Sequence, residues 1–142
     1  MKKKTKKRVS VVDRVMREKL LKMAKSAQDH AYAPYSKFHV GAAILLSDGR
    51  IFTGCNVENA SYGLTICAER NAIFQAVAAS KKKPKVVAVA VSTDPSVACS
   101  PCGACRQVIW EFGADAMVFY KGEKNIVERK MKELLIDGFV LD

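Results

Sequence analysis

The sequence predicts an α/β domain with a mixed central β-sheet flanked by helices. Three observations carry that reading. Apolar residues recur at helical spacing after Asp13, two apolar runs flank Ser47-Asp48-Gly49, and Val86-Val-Ala-Val-Ala-Val91 is apolar almost throughout. Such a run suits a central strand buried on both faces. At 142 residues, 49% of them hydrophobic, the chain fits one compact domain and is too apolar for wholesale disorder. Two parts are expected: a basic, flexible arm over residues 1–10 and a single catalytic domain over 11–142.

Each element follows from a local pattern. From Asp13 to about His30, Met16, Leu20, Met23, Ala24 and Ala27 form one apolar stripe, with Arg17, Lys22 and Lys25 among them. Asp13 is placed to cap this helix, and Ala33-Pro-Tyr-Ser36 ends it. Val40–Leu46 and Arg50–Asn56 read as a hairpin across Asp48-Gly49, followed by a loop over Val57–Thr65. A second helix is expected from about Cys67 to Ser80, with Ile73, Phe74 and Val77 as core candidates. After Pro84 comes the strand at Val86–Val91, and Pro101 introduces a third helix over about Cys102–Phe112. A short strand at Ala116–Tyr120, a charged segment at Lys121–Arg129 and a last helix at Lys130–Ile136 complete the order. No internal repeat or linker divides the chain.

Charge excludes less than it first suggests. The net charge is +10, yet Lys2, Lys3, Lys4, Lys6, Lys7 and Arg8 together with Lys81, Lys82, Lys83 and Lys85 supply ten positive charges. Two local runs therefore equal the whole excess, which reads as a solvated tail and loop. Weak, salt-sensitive contact with polyanions is compatible with this, but no aromatic and basic pattern of an RNA-binding sheet accompanies it. No apolar run approaches the roughly 18 residues that span a bilayer, and the basic start lacks the apolar region of a signal peptide. A soluble, cytoplasmic protein without membrane contact is expected. Five cysteines, an odd number, do not suggest a disulfide framework.

Cys102-Gly-Ala-Cys105 alone fits a redox pair, half of a structural zinc site or two ordinary cysteines. Cys55 or Cys99 could complete four thiolates, and His30 and His39 are the two imidazole candidates. The surroundings resemble an open site more closely. Cys67-Ala-Glu69 places a carboxylate two residues beyond a possible ligand at a predicted helix start, and Pro101-Cys102 stands at another. Helix N-termini favour thiolates over thiols. Three thiolates leave one tetrahedral zinc position for water, whose pKa the metal lowers, and Glu69 is then free to manage protons.

Four blocks in this order carry a resemblance: Tyr35-Ser-Lys-Phe-His-Val-Gly-Ala-Ala43, Gly54-Cys-Asn-Val-Glu-Asn-Ala60, Cys67-Ala-Glu-Arg-Asn71 and Ser100-Pro-Cys-Gly-Ala-Cys-Arg-Gln107. Across roughly residues 15–120 the chain resembles the small homotetrameric zinc-dependent cytidine deaminases with three cysteine ligands. The resemblance implies a three-layer cytidine deaminase-like fold and one Zn2+ per subunit, held by Cys67, Cys102 and Cys105, with Glu69 as the catalytic acid and base. It places Asn56 and Glu58 at the ribose hydroxyls, Phe38 against the base, and backbone groups of Ala68 and Ser100 around the cytosine ring. Tyr35 is expected to close the pocket across a subunit contact. Arg70 is expected to donate to a ligating sulfur and offset the net negative charge of a zinc ion with three thiolates. Gln107 is a further candidate behind the ligands, and Cys55 and Cys99 are read as small packing residues.

Two positions depart from the family pattern. His39 stands where proline is common, which leaves a backbone N–H, and Ile136 replaces the proline of a Leu-Leu-Pro segment that ends here at Phe139. By resemblance Phe139 reaches a neighbouring active site in a homotetramer whose sites lie near subunit interfaces. The implied reaction is hydrolytic deamination of free cytidine and deoxycytidine to uridine and deoxyuridine, with ammonia released, in pyrimidine salvage. Blasticidin S deamination by the same zinc chemistry is the nearest alternative. A zinc-stabilised RNA-binding module with a saturated metal shell is the alternative from another class. A cytosine deaminase acting on nucleic acid is disfavoured, because the chain is short and those enzymes more often present His-x-Glu.

Overall fold

The computed structural model describes residues 12–142, so the expected basic arm at 1–10 lies outside the described residues. Helix α1 (Arg14–Gln28) starts where the Asp13 carboxylate accepts the Met16 N–H at 2.8 Å, as a capping aspartate should. Strands β1 (Val40–Leu46) and β2 (Ile51–Cys55) form the expected hairpin, and Gly49 takes φ 92° at its turn, a conformation that suits glycine. Then come α2 (Ala68–Ala78), β3 (Val86–Thr93), α3 (Gly103–Gly113), β4 (Met117–Lys121), β5 (Ile126–Lys130) and a single-turn α4 (Met131–Leu134). A 3-10 turn at Tyr62–Leu64 interrupts the loop before α2.

The five strands form one sheet in the order β2-β1-β3-β4-β5. It is mixed: β1 runs antiparallel to β2 and β3, β3 parallel to β4, and β4 antiparallel to β5. Alternate β1 residues feed two separate cores. Ala43 and Leu45 pack with Leu20 and Ala24 of α1, whereas Ala42, Ile44 and Leu46 pack with Ala72, Ile73 and Ile109 of α2 and α3. That alternation makes three layers, with β3 at the centre of the sheet. Gly54 sets the approach of α2 to β2, since a Cβ there would lie 2.5 Å from both Ala68 O and Ala72 N. Among the described residues no helix is long and apolar enough to cross a membrane.

Three sequence expectations need correction. The charged segment before residue 130 contains β5, an edge strand whose Glu128, Arg129 and Lys130 are exposed. Its charges suit an edge that must not pair with another chain, and they hide its strand character. In α2 the buried set is Ala68, Glu69, Ala72, Ile73 and Ala76, which leaves Phe74 and Val77 on the solvent side at 47% and 41% exposure. The last helix is the single turn Met131–Leu134 and ends before Ile136, and Asp137 then adopts φ 55°.

Candidate metal centre and substrate pocket

Cys67 and Cys102 are the N-cap residues of α2 and α3, and neither cap is satisfied by a side-chain hydrogen bond. Cys105 follows one turn into α3 and is fully buried. Packing of both helices on one face of the sheet brings the three sulfurs within 4.8 Å of one another. Zinc–sulfur bonds of ~2.3 Å at a tetrahedral angle separate paired sulfurs by about 3.8 Å, and Cys67 Sγ and Cys102 Sγ stand 3.8 Å apart.

The surroundings favour a thiolate at Cys67, the form in which cysteine binds a metal. Arg70 Nη2 donates to Cys67 Sγ at 3.3 Å, while its Nε is buried beside the cluster without a protein partner among the described residues. The Cys105 hydrogen bond, followed by the Arg70 guanidinium, lowers the Cys67 thiol to about 5. The same contact with Cys67, reinforced by burial, pushes the Cys105 thiol well above its ordinary range. Cys55 and Cys99 do not join the metal-competent group, although Cys99 lines the adjoining cavity.

Glu69 sits 4% exposed in the first turn of α2, where its Oε2 accepts the Cys105 thiol at 3.2 Å. Burial, above all, raises its pKa. A buried carboxyl whose pKa is raised toward neutrality is suited to exchange protons with a bound molecule.

The cavity beside this cluster measures about 290 Å³, at the small end of the ~300–1,000 Å³ range of small-molecule sites. Phe38, Asn56, Glu58, Cys67, Ala68, Glu69, Ser100 and Cys102 line it, so most of the residues singled out in the sequence converge on one space. Thr65, Ser36, Val40 and Cys99 complete the lining. Cys99 carries a packing role in the sequence reading, Thr65, Ser36 and Val40 carry none, and Ser36 and Val40 lie inside a quoted block where a residue-by-residue reading could have found them.

Polar bonds hold the far side of the cavity. Asn56 donates from Nδ2 to Phe38 O at 2.7 Å and accepts the Val40 N–H at Oδ1 at 2.8 Å, bracketing the loop that carries Phe38. His39, between them, donates its backbone N–H to Asp94 Oδ2 at 3.2 Å, a bond that proline could not make. Glu58 Oε1 accepts the N–H groups of Tyr35 and Ser36 at 2.9 and 3.1 Å, and hydrogen bonding from Ser36 holds its pKa below the usual value. Tyr35 lines a neighbouring cleft with Ser36, Glu58, Tyr62 and Thr65.

Gln107 and Phe139 lie outside the cavity of their own chain. Gln107 directs its amide to Phe139 O at 3.4 Å, and among the described residues it makes no hydrogen bond to a cysteine sulfur. Phe139 is 65% exposed and does not line its own chain's cavity, because the segment that carries it lies against α3.

A three-layer fold with three cysteines at two helix starts and a buried carboxyl between them has the make-up of a zinc-dependent deaminase site. Residues 15–121 match the cytidine and deoxycytidylate deaminase zinc-binding region. A cytidine deaminase from Sporosarcina psychrophila is 48% identical over 122 residues, covering 85% of this chain and 88% of that protein. The crystal structure of cytidine deaminase from Burkholderia pseudomallei superposes with a TM-score of 0.79 at 45% identity, covering 86% of this chain and 98% of that one. A blasticidin-S deaminase from Bacillus cereus is more distant, at 34% identity over 106 residues and 70% and 76% coverage. The chain belongs to the cytidine and deoxycytidylate deaminase zinc-binding family.

Proposed function

We propose that the chain hydrolyses free cytidine and deoxycytidine to uridine and deoxyuridine, releasing ammonia, with one zinc ion per subunit held by Cys67, Cys102 and Cys105. The observation that carries the reading is the buried Glu69 beside three sulfurs at the wall of a cavity of nucleoside scale. When bound, zinc acidifies a water and so provides the nucleophile. Glu69 would handle the protons: it takes one from the attacking water and delivers it to cytosine N3 as C4 is attacked. It then passes the proton of the new C4 hydroxyl to the amino group, so that the C4–N bond breaks, ammonia leaves and the uracil carbonyl forms. Protonation at N3 limits charge build-up on the ring as the nucleophile adds. Arg70 holds the Cys67 thiolate and tempers the negative charge of the sulfur cluster.

Phe38 packs on the base, the backbone at Ala68 and Ser100 frames the ring, and Asn56 and Glu58 face the ribose. Asn56 and Glu58 already hold the Phe38 and Tyr35 loops, so they position this end of the pocket as well as meeting the sugar. Homotetrameric assembly belongs to the same reading. The exposed Phe74, Val77, Tyr62 and Leu64 supply apolar surface of the kind that subunit contacts cover, with Tyr35 and Phe139 near such contacts. Five unpaired thiols suit a cytoplasmic enzyme of pyrimidine salvage.

The test is turnover by zinc-quantified protein on cytidine, deoxycytidine, blasticidin S and a cytosine-containing oligonucleotide. Uracil nucleosides with one ammonia per turnover are expected from the first two. Product from blasticidin S alone would move the substrate assignment. Salt-dependent oligonucleotide binding without ammonia release would overturn the enzyme reading.

A further inference from the structure

Arg106 directly follows the ligand Cys105 on α3, yet its guanidinium turns away from catalysis toward backbone support. Nε donates to Pro101 O at 2.8 Å, Nη2 to Ser100 Oγ at 3.0 Å and Nη1 to Leu134 O at 2.8 Å. Three bonds from one rigid planar fork fix their acceptors relative to one another. The first two acceptors belong to a segment that the burial of Pro101, the Cys99 thiol on Ser100 O and the Cys99 N–H on Lys121 O also hold, but that has few backbone bonds of its own. Ser100 lines the cavity, Pro101 has no N–H, and among the described residues no backbone–backbone hydrogen bond reaches either residue. Arg106 therefore supplies the N–H donors that fix the approach to Cys102.

The third acceptor connects this segment to the chain's end. Leu134 closes α4, and the residues beyond it lie along the same α3 surface. Gln107 donates to Phe139 O, and Gly138 sits so close to the Trp110 ring that a Cβ there would overlap ring atoms. Positions 106, 107 and 110 of α3 thus grip the C-terminal segment, and Arg106 alone of the three also grips the pocket wall.

We propose that Arg106 is a positioning residue that couples the C-terminal segment to the Ser100-Pro101 wall of the substrate pocket and so tunes nucleoside binding. The proposal rests on the cytidine deaminase reading. Wild-type turnover is measured first: its absence counts against that reading and against Arg106 alike, whereas a changed ratio between variant and wild type speaks to Arg106 alone.

Arg106→Gln is compared with wild type for kcat and KM on cytidine, uridine dissociation constant, zinc per chain and thermal midpoint. With zinc retained, kcat/KM should fall by about 10–100-fold, as expected for loss of a partner that orients a site, and uridine should bind more weakly. Gly138→Ala, which displaces the segment from the far side, should lower kcat/KM by a smaller factor. In the double variant the two effects should be non-additive, the mark of a shared network. A purely structural role would lower the midpoint yet leave kcat/KM per folded, zinc-loaded chain within about threefold of wild type, and that result, or strict additivity, overturns the proposal. Should Arg106→Gln fail to fold, Arg106→Lys, which keeps the charge but not the fork, decides by the same threshold.

Discussion

At one end of the pocket Cys67 and Cys102 cap two helices that are packed into the sheet, and Arg70 backs the Cys67 sulfur from one turn along α2. At the other end Phe38, Asn56 and Glu58 lie on loops, held in place by side chains bonded to backbone. The first end inherits its geometry from the core, so its side chains are spared for chemistry. The second must build its own geometry, so the same side chains both shape the pocket and line it. Substitution should separate chemistry from stability at the metal end and merge binding with stability at the loop end.

The largest effect that sharpens this contrast is expected at Glu69. Glu69→Gln should keep zinc and thermal midpoint near wild type while kcat falls by about 10²–10⁴, the usual contribution of a positioned acid and base. Near-normal turnover by a folded, zinc-loaded variant would end the acid–base assignment. Arg70→Gln should cost about 10–100-fold in zinc affinity or activity, because the Cys67 sulfur loses its donor. Competition with a chelator reads that affinity.

Acidity offers a third way to probe the metal end. Binding zinc requires thiolates, and the raised Cys105 pKa means that a proton must leave Cys105 on binding near neutral pH. Zinc affinity should therefore rise with pH by about tenfold per unit for each proton released. It should steepen further below the Cys67 value of about 5, where the Cys67 proton competes as well. A pH-independent affinity would contradict the cluster described. The smallest effect belongs to the loop end. Asn56→Ala leaves the Phe38 carbonyl and Val40 N–H unpaired, so stability should drop by about 1–3 kcal/mol. The lower thermal midpoint should come with a higher KM for cytidine. A raised KM at unchanged stability would mean that Asn56 serves the ligand only.

The same contrast explains what could be read from the sequence. The metal end was legible because its chemistry is written in short spacings: Cys67-Ala-Glu69, and Pro101 before Cys102-Gly-Ala-Cys105, both at helix starts. The hairpin and the central strand were legible for similar reasons, an Asp-Gly turn and an uninterrupted apolar run. Bonds to distant backbone were not. Arg106 reaches Leu134 and Asn56 reaches Phe38 across 28 and 18 residues, and no local pattern marks a carbonyl as a partner. Strand β5 escaped because charged, exposed side chains mask its alternation, while Phe74 and Val77 misled because apolar residues on a helix do not state which face meets the core.

Zinc-edge X-ray absorption on the purified, zinc-loaded protein tests the central claim most directly. Three sulfurs per zinc with a lighter fourth donor are predicted from Cys67, Cys102 and Cys105. Four sulfurs, with Cys99 drawn in from the cavity wall, would leave no place for solvent and would contradict the account.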